Sequence, residues 1–367
     1  MHMKRLFAGM AAALLAAVLL FPLEVFAVSA QNAIVYDAQT GRVLYEKNAS
    51  SRGLIASTTK IMTALIVCEQ CNVLDRMKIP KEAVGIEGSS IYLKEGEVLT
   101  IQELLYGLML HSGNDAAVAL AIYCGGTVEG FVSLMNDKAH QLGLRNTHFE
   151  NPNGLDSPGH YSTAMDLAVL SAYAMENPIF ARTVSTKNVS IGSRSLHNHN
   201  KLLWRINGAD GVKTGYTKAA GRILVSSAVR DGRRLIAVTM NAPSDWQDHA
   251  MLLEDGFQNF SVRKIISKGQ ILGTVEIVSG ETGRADLLAS EDFSFSLAAN
   301  ETPEIILQGP GFSYAPVCSG ETAGYAYVCL NGAAIGKIAV EYGETVELEP
   351  IPKRSWLQKL FGGKDND

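Results

Sequence analysis

Ser57-Thr58-Thr59-Lys60 places a hydroxyl and an amine three residues apart, immediately ahead of the apolar run Ile61 to Val67. If that run is a helix, both side chains lie on one face of its first turn. A serine hydroxyl is a weak nucleophile at neutral pH and needs a base within hydrogen-bond reach. A lysine amine can serve once burial or a nearby cation has lowered its pKa. Backbone N–H groups at the helix start favour the negative charge that develops on an attacked carbonyl oxygen. The pattern is weak alone, because Ser261-Val262-Arg263-Lys264 repeats it where no helix start is expected. Taken singly, Ser57 reads as a helix N-cap with Lys60 in solvent.

Two further elements change that reading. Ser112-Gly113-Asn114 follows an apolar run ending at Leu110, and supplies a hydroxyl that can pass a proton and an amide that can hold a peptide group. Lys213-Thr214-Gly215 precedes the strand-like run Arg222 to Val229 and offers a cation and a hydroxyl suited to a carboxylate. Ser-x-x-Lys, Ser-x-Asn and Lys-Thr-Gly in this order resemble the elements shared by β-lactamases and penicillin-binding proteins.

The flanking residues narrow the resemblance. Ala56 to Ala64, Leu110 to Ala117, Asn151-Pro152-Asn153-Gly154-Leu155 and Asp210 to Thr217 closely resemble the D-alanyl-D-alanine carboxypeptidases, the low-molecular-mass penicillin-binding proteins. The resemblance implies an α/β catalytic domain, an antiparallel sheet with helices and a helical subdomain like that of β-lactamases and transpeptidases, followed by a small all-β domain. It implies that Ser57 attacks the carbonyl between two terminal D-alanines, Lys60 takes its proton and Ser112 helps protonate the leaving amine. Asn114 would position the peptide, and Lys213 and Thr214, with Gly215 beside them, would hold the terminal carboxylate. The backbone N–H groups of Ser57 and Tyr216 would form the oxyanion hole. The substrate would be a peptidoglycan stem peptide ending in D-Ala-D-Ala, and β-lactams would inhibit by acylating Ser57. A β-lactamase is the nearest rival; against it stand Ser-Gly-Asn in place of Ser-Asp-Asn and the second, β-rich domain. A penicillin-binding sensor or wall-binding module with slow turnover is the rival from outside enzymology.

Residues 31–262 mix strand-like runs with helical runs around Lys60 to Cys71, Ile101 to Leu110 and Gly130 to Leu142, without regular alternation. This favours a sheet with a large helical insertion over a doubly wound parallel sheet. Residues 263–350 carry short strand signals separated by Gly, Asn and Pro turns, an all-β pattern. Residues 1–30 read as a secretory signal: Lys4 and Arg5, then a hydrophobic run from Leu6 to Phe21 and small residues near Ala27 and Ala30. In 351–367, Trp356, Leu357, Leu360 and Phe361 fall on one helical face beside basic residues, suiting contact with a membrane surface.

Over all 367 residues, 47% are hydrophobic and 19% charged, which suits a folded protein of about two domains. A net charge of -5 argues against a nucleic-acid binder. The five cysteines are odd in number, so at least one is unpaired within the chain. Cys68-Glu69-Gln70-Cys71 reads as small buried thiols ahead of a redox or zinc site. His197-Asn198-His199-Asn200 reads as polar packing at the site edge, and His160 as a loop residue. The chemistry calls for no cofactor and no metal.

Overall fold

The computed structural model describes residues 28–350. The expected signal, apart from its last three residues, and the expected membrane-contacting tail lie outside the described residues.

The first sheet has strand order β2-β1-β9-β8-β7, with every neighbouring pair antiparallel. Its strands are β1 (Asn32–Asp37), β2 (Val43–Lys47), β7 (Ala209–Thr217), β8 (Gly221–Arg230) and β9 (Arg233–Met240). Two small hairpins, β3 (Arg76–Lys78) with β4 (Val98–Thr100) and β5 (Asn188–Ile191) with β6 (Arg194–His197), lie in the long excursion between β2 and β7. That excursion also carries α1 (Lys60–Gln70), α2 (Ile101–Leu110), α3 (Asn114–Gly125), α4 (Val128–Gln141), α5 (Ala164–Glu176) and α6 (Pro178–Ser185), and α7 (Asp245–Asn259) follows β9. The helical insertion is therefore real.

Alternation along the strands explains how both faces are covered. Ile34, Ile223, Val225, Ile236 and Val238 join one core with α1 to α6. Ala33, Val35, Leu235 and Ala237 face the other way, onto Leu252 and Leu253 of α7. Helix α1 is buried along nearly its whole length, which places its first turn inside the protein.

After α7 the chain is all β: β10 (Phe260–Ile266), β11 (Ile271–Val278), β12 (Arg284–Ala289), β13 (Phe293–Ala298), β14 (Glu304–Gln308), β15 (Phe312–Tyr314), β16 (Thr322–Leu330) and β17 (Ala333–Tyr342). Six of these form a sheet of order β14-β16-β17-β12-β11-β15 around a separate core, while β10 pairs with β13. The boundary expected between 262 and 263 falls inside β10, and the Ser261–Lys264 repeat of the Ser-x-x-Lys spacing is extended strand. Arginines join the two units. Arg233 donates to Asp37 Oδ2 (2.6 Å) and Ser296 Oγ (2.7 Å) as well as to the carbonyls of Gly256 and Phe260. Arg42 clamps Glu301 with two bonds of 2.6 and 2.7 Å.

Candidate active site

Strand β7 is an edge of the first sheet, and a 3₁₀ turn, Ala56–Thr59, packs against it just before α1 begins. Gly215 makes that contact possible: a Cβ there would lie 3.2 Å from the Ser57 backbone nitrogen and 3.3 Å from Ile55 O. A cleft of about 370 Å³ opens at this junction, lined by Ser57, Ser112, Thr214, Gly215 and Tyr216. Lys60, Asn114 and Lys213 are buried. All eight residues expected from the sequence therefore meet in one region, five of them on the wall of the cleft.

Lys60 is the first residue of α1 and is wholly buried. Its Nζ lies 3.0 Å from Ser57 Oγ, 2.7 Å from Asn114 Oδ1 and 2.5 Å from Asn153 O. Burial drives its pKa well below the ordinary lysine value, the positive charge of Lys213 lowers it further, and Asp115 opposes both. Lys213 is likewise buried, and burial takes its pKa down to about 7. Its amine donates to Thr214 O at 2.8 Å.

The strand and helix ends hold these groups in unusual backbone. Ser112 follows α2 with φ +62°, and Ala56 opens the 3₁₀ turn with φ +44°. Non-glycine residues rarely adopt this left-handed region, and surrounding structure must hold them there. Asn114 starts α3 and is committed on both sides of its amide: Oδ1 accepts from Lys60 and Nδ2 donates to Glu87 O at 2.5 Å. One amide hydrogen is left for a peptide. Asp115, beside it at the helix N-terminus where a carboxylate is favoured, accepts from Ile91 N, Leu93 N and Ser90 Oγ and so fixes the 90–93 loop.

The Asn151–Leu155 loop floors the site. Asn151 Oδ1 accepts from Gly154 N at 2.7 Å and Asn153 Oδ1 from Leu155 N at 3.1 Å, turns that aim the loop carbonyls at α1. Thr63 Oγ1 then donates to Pro152 O and Lys60 to Asn153 O. Gly154, at φ +87°, sits where a Cβ would meet Ala56 O at 1.9 Å. Gly154→Ala is expected to lower stability by about 2–4 kcal/mol through backbone strain and overpacking, and to slow the enzyme by shifting the turn that carries Ser57. Urea unfolding and a rate measurement check it.

His160 lies in a loop, as expected, and is buried under the same turn. Its Nδ1 accepts from Glu150 N at 3.0 Å and its Nε2 meets Thr59 Oγ1 at 2.7 Å. Because Thr59 gives its own hydrogen to Ala56 O, His160 Nε2 must be the donor, so the ring is neutral. Burial, lowering its pKa to about 4, agrees. In the 197–200 segment, Asn198 binds the carbonyls of Val184 and Thr186, Asn200 binds Gly211 O, and His199 lines the cleft. Among the described residues no group of three His, Cys, Asp or Glu side chains converges as for a metal.

Beyond Tyr216 the cleft continues to Arg222 and Trp246, and Arg222 is paired with Asp245 at 2.8 Å. No motif marks these two residues. Arg222 stands opposite Tyr216 in the β7–β8 register, a neighbour that only strand pairing reveals.

Residues 21–244 match the family described as D-alanyl-D-alanine carboxypeptidase, and 260–348 match the C-terminal domain of penicillin-binding protein 5. D-alanyl-D-alanine carboxypeptidase DacF of Bacillus subtilis is 32% identical over 335 residues, covering 87% of this chain and 86% of that one. DacD of Escherichia coli is 38% identical over 288 residues, 74% of each chain. The crystal structure of penicillin binding protein 5 from Haemophilus influenzae superposes with a TM-score of 0.76 at 29% identity, over 88% of this chain and 98% of that one. With relatives this similar over most of the chain, it belongs to the D-alanyl-D-alanine carboxypeptidases, serine hydrolases of the penicillin-binding class.

Proposed function

We propose that Ser57 is the nucleophile and Lys60 its general base, acting on the carbonyl between the last two D-alanines of a stem peptide. The coordination of the Lys60 amine carries this reading. Asn114 Oδ1 and Asn153 O can only accept, so a neutral amine gives them its two hydrogens and turns its lone pair to the Ser57 hydroxyl. A depressed pKa makes that neutral state accessible.

Ser57 Oγ attacks as its proton passes to Lys60 Nζ. The oxyanion is held by the N–H groups of Ser57 and Tyr216, which the close approach of Gly215 brings together. Breaking the C–N bond expels D-alanine, whose amine is protonated through Ser112, and water then hydrolyses the ester. Thr214 and the cationic Lys213 hold the carboxylate, and the free amide hydrogen of Asn114 meets the peptide backbone. A β-lactam enters the same way, but its opened ring stays attached and leaves Ser57 acylated.

The protein is exported to the periplasm or cell wall where family members act, and the signal ends at Ala27 in place of Ala30, because Val28 and Ala30 pack in the core and Ser29 bonds to Asp248. The 351–367 tail meets the membrane surface. The catalytic unit ends with α7 at Asn259, and the β-rich unit begins with β10 at Phe260 in place of the expected 263.

The test is D-alanine release from a pentapeptide alongside penicillin labelling of the mature enzyme. Release with long-lived labelling supports the proposal. Rapid penicillin hydrolysis would identify a β-lactamase, and labelling without release a sensor.

Lys213 gives a second test. Carboxylate binding needs its cation, which in the free enzyme is lost as pH rises through about 7. The kcat/KM for a peptide with a free terminal carboxylate is therefore expected to fall about tenfold per pH unit above that point, while an ester-capped or amide-capped substrate lacks this limb. Lys213→Ala should hurt the free acid more than the capped forms. Equal losses would remove the carboxylate role.

A further inference from the structure

The C-x-x-C spacing draws the eye to Cys68 and Cys71, yet the fold separates them in character. Cys68 lies in the hydrophobic core, where burial pushes its thiol up to about 12. Cys71 is the C-cap of α1, in extended backbone (φ -113°, ψ 146°), so it leaves the helix instead of completing the turn above Cys68. Its near neighbour comes from 53 positions along the chain: Cys124, in the last turn of α3, whose sulfur contacts Gln70, the residue next to Cys71. Both are partly exposed and pack on the edge of the same core. Neighbouring side chains fix the junction. Cys124 Sγ reaches Gln70 Oε1 at 3.6 Å, and Tyr123 donates to Asp75 Oδ2 at 3.0 Å.

We infer that Cys71 and Cys124 form a disulfide site that locks the distal ends of α1 and α3. These helices begin with Lys60 and Asn114, which are bonded to each other at 2.7 Å. The pair is thus pinned at its catalytic end by that contact, and at its far end by the thiols. Each helix is about 16–18 Å long, so the link lies well away from the reacting atoms and need not disturb them.

The bond forms by exchange with an external disulfide, either a small molecule or a protein thiol–disulfide oxidoreductase. Cys124 begins the exchange, because the neighbouring Cys71 lowers its pKa while that of Cys71 is raised. The Cys124 thiolate attacks one sulfur of the donor and expels a thiolate. Once Cys124 is capped, Cys71 no longer faces a neighbouring thiolate, loses its proton, attacks the Cys124 sulfur and expels the second. Two electrons pass to the donor, and the two cysteine protons end on its two thiols. The pairing follows from the helix geometry; its occurrence in the organism rests on the export reading, since such donors persist outside the cytoplasm.

The experiment treats the purified mature protein with oxidised dithiothreitol, then tags free thiols with a maleimide under denaturing conditions. The expected product carries three tags in place of five, yields a Cys71–Cys124 cross-linked peptide, reverts on reduction and retains D-alanine release. Its thermal midpoint should rise by about 5 °C or more over the reduced form. Cys124→Ser should take five minus one tags before and after oxidation, with no oxidation-dependent rise in midpoint. Five tags after oxidation, or a cross-link joining Cys68 to Cys71, would overturn the proposal. So would a Cys71–Cys124 link that leaves the midpoint unchanged. Loss of D-alanine release in both redox states would instead count against the catalytic reading and leave the disulfide result standing.

Discussion

Ser57→Ala is expected to lower D-alanine release by about 10⁴-fold or more and to abolish covalent penicillin labelling. The reasoning is local. The methyl group leaves the 3₁₀ turn, Gly215 and the Lys60 contacts to Asn114 and Asn153 in place, so the variant should fold and still bind peptide. What it lacks is the atom on which the acyl group would sit. Any remaining rate comes from the oxyanion donors acting on water. Mass spectrometry of the penicillin-treated variant decides the matter, because an adduct on Ser57→Ala protein would move the nucleophile elsewhere, with Ser112 the first place to look.

Lys60→Arg tests the base separately from the charge. A guanidinium keeps the positive charge and can donate to Asn114 and Asn153, but it holds its proton throughout the accessible pH range and cannot accept one from Ser57. The expected loss in kcat is about 10²–10⁴-fold, with penicillin acylation slowed in parallel. Lys60→Met removes the amine and leaves two buried carbonyl oxygens without a donor, at about 1–3 kcal/mol each. If the methionine variant loses stability and activity but the arginine variant retains activity, Lys60 is a structural pin and another group is the base. Stopped-flow acylation by a chromogenic cephalosporin separates these outcomes.

The site was legible in sequence where function is carried by side chains at fixed local spacing. Ser57 and Lys60 are three apart on one turn, and that geometry needs only a helix start. What could not be read was tertiary. The third partner of Lys60 is a backbone carbonyl, Asn153 O, and any residue type could supply it. The burial of the loop residue His160 could not be read either, because its two hydrogen-bond partners, Glu150 N and Thr59, arrive from separate segments. The helix at Asn114–Gly125 has no apolar stripe to detect, since most of its length is buried on all sides. In the cysteines, linear spacing is silent about Cys124: C-x-x-C implies one helical face only while the helix continues, and this one stops at Cys71. The helical insertion and the β-rich end were both visible, because periodicity and turn residues report local structure. Strand order was not, because it is set by pairing between strands far apart in the chain.

The buried Lys213 links the reaction to folding through protons. Its pKa is about 7 in the fold against 10.5 for a free side chain, so between these values the unfolded chain binds one proton more than the native protein. Stability through this residue therefore rises with pH over that window, and the penalty of the buried cation is fully present below about 7. Carboxylate capture runs in the opposite sense, needing the proton that folding would shed. The enzyme is thus most competent to bind where this lysine most opposes the native state. A bound terminal carboxylate, by neutralising the charge in place, acts as a stabiliser of the protein as well as its substrate.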